Sequence, residues 1–372
     1  MSSSSRLPTT QTAIIAAGPG KLTTTHTAPL PPLDPDMVLV KTAAVAINPA
    51  DAKMLDYSAA AGAIHGYDFA GTVVALGSDA AAEGRFEIGD RVAGLVHGMN
   101  KLKPDVGAFA EYVGAYADLL LKIPSGLEWE QAATFGTGIA TAMLAGFKEL
   151  GVPGGLDALS AEKAGGSEIK DDEKEFVLVA GGSTATGTRA LQLLKLAGLR
   201  PIATCSPRNM ALALKFGAEK VFDYNSPNCA SDIKAYTNNE LSYVLDCVTQ
   251  ADTTTLAYAA MGRAGGRYVS LEPFRDTVAQ TRALTIVPSW VMVLTIFGKS
   301  VALDGEYGRE ARPEDRAFGK RAFSIFQDLL DKGLVGTHPV KLVDGGWEGV
   351  CKAVDLVRGQ GVSGEKVVCR VA

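Results

Sequence analysis

Apolar positions follow two periodicities along this chain, and the change falls near residue 130. Between residues 12 and 120, short apolar runs at 37–41, 71–76 and 91–96 are separated by Pro, Gly and Asp turns. That spacing predicts a mostly β domain. Residues 129–150 shift to helical spacing. Beyond residue 176, strand and helix patterns alternate. The run 177–180 reads as a buried strand. Ala190, Leu191, Leu193, Leu194, Leu196 and Ala197 recur at helical spacing, and Gly198 suits the helix end. Residues 201–205, 220–224, 242–248 and 267–271 read as further strands, with a helix at 209–216 ended by Gly217. This alternation predicts a doubly wound parallel sheet. Residues 317–330 form an amphipathic helical pattern, and 340–372 return to strand, helix and strand. Residues 153–175 and 299–316 are charged, Gly-containing and weakly periodic, and read as loops. No internal repeat is visible.

The most informative chemistry lies where the first of the alternating strands meets its helix. Residues 177–187 read VLVAGGSTATG. Gly181 and Gly182 allow a tight turn and close approach of backbone to ligand. Ser183, Thr184 and Thr186 add hydroxyls around Ala185. Gly187 opens a helix whose unpaired N–H groups and positive dipole end attract phosphate. The turn departs from a strict G-x-G-x-x-G, and a Gly-Gly-Ser-Thr string alone is most often an ordinary loop. The strand–helix alternation that follows turns the reading toward a dinucleotide site. The next strand ends in Cys205-Ser206-Pro207-Arg208-Asn209. A site for NADH usually places Asp or Glu about 20 residues past the glycine turn. No acid stands here. Ser206 and Arg208 suit a 2′-phosphate, Arg208 as a planar charged donor, and Tyr224 could close the same pocket. The cofactor expected is therefore NADPH. A solvated surface arginine is the structural alternative for Arg208.

Composition narrows the class. The chain has 372 residues, 47% hydrophobic and 21% charged, enough for two domains with cores of their own. A net charge of -5 argues against nucleic acid or an anionic membrane as partner. Five cysteines, an odd number and all beyond residue 204, do not suggest a disulfide framework. A reducing, cytoplasmic setting is expected. The start, Met-Ser-Ser-Ser-Ser-Arg, lacks a signal-peptide core, and residues 2–5 are expected to be disordered. The most apolar stretch, 286–297, contains Pro288, Ser289 and Thr295 and is too short to span a bilayer. It reads as a buried strand plus a pocket wall.

Several strings then occur in order: Ala46-Ile-Asn-Pro-Ala-Asp51, Gly66-Tyr-Asp-Phe-Ala-Gly71, Ile88-Gly-Asp-Arg-Val92, Gly107-Ala-Phe-Ala-Glu-Tyr112, Ile123-Pro124, Gly217-Ala218, Asp246-Cys247 and Ser363-Gly-Glu-Lys366. Together they resemble the medium-chain dehydrogenase/reductase superfamily, in its quinone reductase and enoyl reductase branch. Three longer strings, at 181–186, 202–207 and 265–271, look like the trans-acting enoyl reductases of fungal polyketide biosynthesis, the lovastatin-like branch. Arg267 and Glu272 depart from that branch, so the exact substrate does not carry over. The resemblance implies an α/β chain with a GroES-like β-rich catalytic domain (1–140), a Rossmann NADPH-binding domain (141–296) and a return to the catalytic domain (297–372). It implies reduction of an α,β-unsaturated thioester carried by a partner polyketide synthase, and a monomeric chain. Zinc-dependent relatives carry Gly-His-Glu where this chain reads Gly66-Tyr67-Asp68, and no cysteine precedes Cys205, so no metal is expected. His65 reads as a pocket or surface residue.

By the same resemblance, Ala50, Asp51, Ala52 and Lys53 line the nicotinamide side of the cofactor. Lys53 would bind a cofactor hydroxyl or phosphate, or offer charge to a developing enolate. Its structural alternative is a solvated lysine. Tyr57 is a weaker candidate proton donor, displaced by two positions from a tyrosine used in related enzymes. Residues Gly136, Thr137, Gly138, Ile139, Ala140, Thr141, Ala142 and Met143 mark the domain crossover. Thr137 could bind the carboxamide or the thioester, or serve only a glycine-eased helix start. Val293, Leu294, Thr295, Ile296 and Phe297 are the expected wall of an acyl tunnel. Leu271, Glu272, Gly364 and Glu365 complete the expected cofactor contacts. A quinone or general alkene reductase, and a non-enzymatic cofactor-binding scaffold docked on a synthase, are the competing functions.

Overall fold

The computed structural model describes residues 7–160 and 175–372. Residues 2–5, and most of the loop expected at 153–175, lie outside the described residues. The chain divides into two compact units. One comprises Met1–Thr137, Lys299–Ala311 and Pro339–Ala372, and the other Gly138–Gly298 and Arg312–His338. The sequence reading returned the chain to the first domain from residue 297 onward. Instead, Arg312–His338 groups with the second unit. The reason is burial: helix Pro313–Asp331 sequesters Phe323, Phe326 and Leu329, which lose water only by packing within that unit.

The first unit is β-rich. Among the described residues its main sheet runs Val340–Leu342, Lys366–Arg370, Met37–Ala46, Asp68–Leu76, Arg91–Leu95 and Leu120–Lys122, with Tyr112–Tyr116 also paired to Met37–Ala46. Strand Met37–Ala46 is central because its Val, Leu and Ala side chains are buried on both faces. The final strand pairs antiparallel with it, Val368 opposite Ala46. The end of the chain is thereby stitched beside its beginning. Phe69, Phe86, Phe109 and Val354 contribute to the core of this unit.

The second unit has the expected parallel sheet, in the order Lys220–Asp223, Arg200–Cys205, Phe176–Ala180, Tyr243–Asp246, Gly266–Ser270, Ile286–Trp290. Numbered by chain order this is 3-2-1-4-5-6, and the strand order reverses beside Phe176–Ala180. That strand is apolar and wholly buried, as a strand covered on both faces must be. The last strand departs from expectation: it is a sheet edge, and Val287 is exposed. The helical region expected at 129–150 resolves into Trp129–Ala132, then Gly136–Met143 continuing into a π-helical turn, Leu144–Glu149. Among the described residues no helix is long and apolar enough to cross a membrane.

Candidate active site

In the first unit, four pieces of chain converge on one buried carboxylate. Asp68 opens strand Asp68–Leu76 and is fully buried. Its Oδ1 accepts from both the backbone N–H and the hydroxyl of Thr137, each at 2.6 Å. Its Oδ2 accepts from Asn48 Nδ2 at 2.9 Å and lies 3.2 Å from Lys366 Nζ. Lys366 also donates to Asn48 Oδ1. A buried charge is tolerated only when so paired and hydrogen-bonded. Gly136 must be glycine, because a Cβ there would lie 2.3 Å from Gly94 O and 2.6 Å from Asp68 Oδ1. The Thr137 hydroxyl is thus spent on Asp68.

Asn48 also caps helix Pro49–Tyr57, which carries Lys53. Pro49 supplies the preset φ of a first helical residue, and Asn48 N–H donates to Asp51 Oδ2 at 2.7 Å. Asp51 is wholly buried inside this cap and holds the helix start. Burial pushes its pKa up to about 8. His65 is equally buried, donates Nε2–H to Asp51 O at 2.9 Å, and is held near pKa 4 by burial. It is a neutral core imidazole. Ala52 is buried and Ala50 half-buried, whereas Lys53 is exposed on the same helix. Its Nζ stands 5.0 Å from the ring centroid of Tyr307. Tyr57, one turn on, is also exposed. Gly364, with φ +75°, and the exposed Glu365 form the turn before strand Lys366–Arg370.

The second unit holds the glycine turn. Gly181 adopts φ +79°, and a Cβ there would approach Val248 Cγ2 to 2.6 Å. A Cβ on Gly187 would meet Gly181 O at 2.3 Å, so only glycine lets the helix start fold back on the turn. Thr184 caps helix Ala185–Leu196, its Oγ1 accepting from Gly187 N–H at 2.9 Å. Ser183 is buried, while Ala185 and Thr186 are half-buried at the helix mouth. Asn209 bridges the two expected phosphate sites, with Nδ2 at 3.4 Å from Ser183 Oγ and 3.3 Å from Ser206 Oγ. Ser206 is half-buried, and Pro207, Arg208 and Tyr224 are exposed around it. These residues lie at the carboxyl ends of the first three strands of the unit.

Behind the turn stands a carboxylate that sequence reading missed as a site residue. Asp246 Oδ1 accepts from Val248 and Thr249 N–H, each at 2.9 Å, and Oδ2 accepts from Tyr268 Oη at 2.8 Å and Thr253 Oγ1 at 3.0 Å. It holds Thr249 at φ +55°, where β-branched residues rarely sit. Leu271 N–H donates to Thr249 Oγ1 at 3.3 Å, and Glu272 O accepts from Ser270 Oγ at 2.7 Å. Ile139, Ala140, Ala142 and Met143 are fully buried on helix Gly136–Met143, with Gly138 and Thr141 also buried. Leu294 to Phe297 are buried in a 3₁₀ turn, with Val293 half-buried.

Neither the zinc nor the cofactor question is open-ended. Asp68 is saturated by an ammonium, an amide and Thr137, and the Lys366 charge beside it repels a cation. Tyr67 is buried, and burial drives its hydroxyl pKa upward, away from a ligating phenolate. Among the described residues no group of three or more His, Cys, Asp or Glu is arranged to hold a metal. The donor set does not fit zinc. The glycine turn fits a dinucleotide phosphate in its chemistry: it runs straight into the N-terminus of the capped helix Ala185–Leu196, and Gly182 lets it pack tightly on the second strand, since a Cβ there would reach Ala203 Cβ at 2.6 Å.

Residues 34–125 match the alcohol dehydrogenase GroES-like domain, and residues 185–301 match the zinc-binding dehydrogenase family. The chain is 60% identical over 367 residues to trans-enoyl reductase thnE of Trichoderma harzianum, covering 99% of this chain and 98% of that protein. It is 61% identical over 366 residues to trans-enoyl reductase caaB of Aspergillus niger, covering 98% of each. The solved structure of CurK enoyl reductase shares the fold, with a TM-score of 0.72 over 97% of this chain and 99% of that one, at 17% identity. With its GroES-like and Rossmann units and full-length identity of this degree, the chain belongs to the trans-enoyl reductases, oxidoreductases of the medium-chain dehydrogenase/reductase superfamily.

Proposed function

We propose that this chain reduces the α,β-double bond of an enoyl thioester, with NADPH as reductant, on chains carried by a partner polyketide synthase. The observation that carries the reading is the closed donor set at Asp68, together with the exposed residue Lys53, whose ammonium stands over the Tyr307 ring. Alkene reduction beside a thioester needs charge stabilisation at the carbonyl oxygen and no Lewis acid. Reducing a ketone in the zinc-dependent manner would need a ligand cluster that is not found among the described residues.

NADPH, when bound, supplies a hydride to the β-carbon. The turn Gly181–Thr186 and the N-terminus of helix Ala185–Leu196 would hold its pyrophosphate through backbone N–H groups. Ser206, Arg208, Asn209 and Tyr224 would take the 2′-phosphate, with Leu271 and Glu272 further along the same sheet edge. Within the first unit, Ala50, Asp51, Ala52, Lys53, Gly364 and Glu365 remain candidate binding residues, with Asp51 also capping helix Pro49–Tyr57. Lys53 would offset negative charge growing on the thioester oxygen, or fix a polar group of the cofactor. Thr137 is assigned to anchoring the helix start. Water or a side chain would protonate the α-carbon. In this reading helix Gly136–Met143 and the turn Val293–Phe297 remain the candidate substrate-binding segments, although most of their side chains are buried.

The test is a spectrophotometric assay of the purified chain with NADPH or NADH and 2-enoyl chains on pantetheine or a carrier protein. Turnover with NADPH is expected. Arg208→Ala should raise KM for NADPH about tenfold, the loss of one charge-assisted hydrogen bond of about 1.5 kcal/mol, and leave NADH use little changed. Inert thioesters beside fast turnover of free quinones would instead make this a quinone reductase. Equal losses with the two cofactors would remove Arg208 from the phosphate site.

A further inference from the structure

We propose that Tyr307 is the positioning residue for Lys53, and that residues 299–311 form a strap that exists to hold its ring in place. The inference rests on the part given to Lys53 above, and names the partner that part requires.

Lys53 and Tyr57 lie four residues apart, on one face of helix Pro49–Tyr57. Both meet the same aromatic ring. Lys53 Nζ stands 5.0 Å from the centroid of the Tyr307 ring, within cation–π range. The Tyr57 ring packs edge-on against it, at 5.4 Å between centroids and 65° between planes. The two partners differ in burial: Tyr57 is 52% exposed and Tyr307 only 7%. The ring that faces the ammonium is therefore the fixed element. An exposed lysine ordinarily samples many rotamers. The quadrupole of a buried ring narrows that choice.

The strap itself is tied at several points. Val301 and Arg309 exchange backbone hydrogen bonds of 2.8 and 3.0 Å and close it into a loop. At its near end, Asp304 grips the end of the lysine-bearing helix. Ser58, just past that helix, donates to Asp304 Oδ2 at 2.8 Å and accepts from Asp304 N–H at 3.0 Å. Lys101 Nζ adds 2.8 Å to Asp304 Oδ1 and 3.2 Å to Ser58 Oγ. The Lys101 ammonium holds the Asp304 carboxyl below its usual range, so the tie persists through neutral pH. Gly305, at φ +58°, lets the strap turn directly over Tyr57, for a Cβ there would stand 2.4 Å from Tyr57 Oη. Tyr307 then closes a 3₁₀ turn, Gly305–Tyr307, that delivers its ring to the helix face. Tyr57 is thereby placed as packing for Tyr307.

The experiment compares Lys53→Ala, Tyr307→Phe, Tyr307→Leu and the double variant Lys53→Ala/Tyr307→Leu in the enoyl thioester assay, with thermal melts to follow folding. Tyr307→Leu is expected to lower kcat about tenfold. Tyr307→Phe, which restores the ring face, should recover most of that loss. The double variant should be no slower than Lys53→Ala. A second measurement reads position without activity: the ring-current shift of the Lys53 side-chain methylenes in lysine-labelled protein, assigned by Lys53→Arg. It should vanish in Tyr307→Leu and survive in Tyr307→Phe. Equal loss in Leu and Phe variants, additive effects in the double variant, or no ring-current shift would overturn the proposal. Full activity in Lys53→Ala would sink the role given to Lys53 instead, and the ring-current shift alone would then decide whether Tyr307 holds it.

Discussion

Single residues in this protein divide into those that present chemistry and those that hold it, and burial separates them. Lys53 and Asp51 sit two residues apart in one short helix. One is exposed over a ring, and the other is sealed in a cap. The sealing has a measurable consequence. Asp51 has its pKa raised to about 8 in the fold, from 3.8 in an unfolded chain. Between those values the folded state holds a proton that the unfolded state has released. Stability from this site therefore falls as pH rises from about 4 to 8. Asp51→Asn keeps an acceptor for Asn48 N–H and removes the titration. Urea midpoints of the two proteins should converge near pH 4, with the variant increasingly the more stable toward pH 8. Parallel pH profiles would show that Asp51 is ionised in the fold. His65, held near pKa 4 in the fold against 6.5 in an unfolded chain, lowers stability as pH falls from about 6.5 to 4, but it does so in both proteins and cancels in their difference.

At the scale of elements, the glycine turn shows how tightly a strand and helix must meet to leave backbone bare for phosphate. The close approach of Gly187 to Gly181 O involves backbone on both sides, which cannot swing aside as a side chain can. Gly187→Ala is expected to cost about 1–3 kcal/mol in urea unfolding, as overpacking does, and to weaken NADPH binding at least tenfold in a fluorescence titration. Gly146 lies in the π-helical turn, and a Cβ there would meet nothing within 4 Å. Gly146→Ala should leave both readings near the parent values. If the two substitutions behave alike, the turn does not depend on that close approach.

For the whole molecule, the hub at Asp68 matters because of where its members lie in the chain. Asn48, Asp68, Thr137 and Lys366 span most of the chain yet belong to one compact unit. That unit is closed only when the last strand arrives, so its contacts are non-local and its assembly is expected to be slow. Lys366→Met would strand a fully buried carboxylate and should destabilise the protein by about 3–5 kcal/mol. Asp68→Asn combined with Lys366→Met should recover much of that loss, since no net charge then remains buried. A small effect of the single variant, or no recovery in the pair, would mean that water reaches the site.

Local patterning was enough for the alternation of the second unit, its glycine turn and the acid-free end of its second strand, because each is written in adjacent residues through the period of a strand or helix and the φ freedom of glycine. The strings that carry the family resemblance were legible in the same way. Position in space was not. Asp68 and Lys366 stood in the motifs quoted from the sequence, but a carboxylate and an ammonium nearly 300 residues apart become partners only when the Lys366–Arg370 strand pairs with Met37–Ala46. Thr137 read as a free hydroxyl until the fold set Asp68 beneath it. Tyr307 read as part of a charged loop, since nothing in residues 299–316 has a period that marks a ring as buried. The sequence by itself determined which elements form and where the glycine turn falls, because those depend on neighbours along the chain. Only the tertiary structure decided which polar groups are spent on one another and which remain exposed, because burial and pairing depend on neighbours across it.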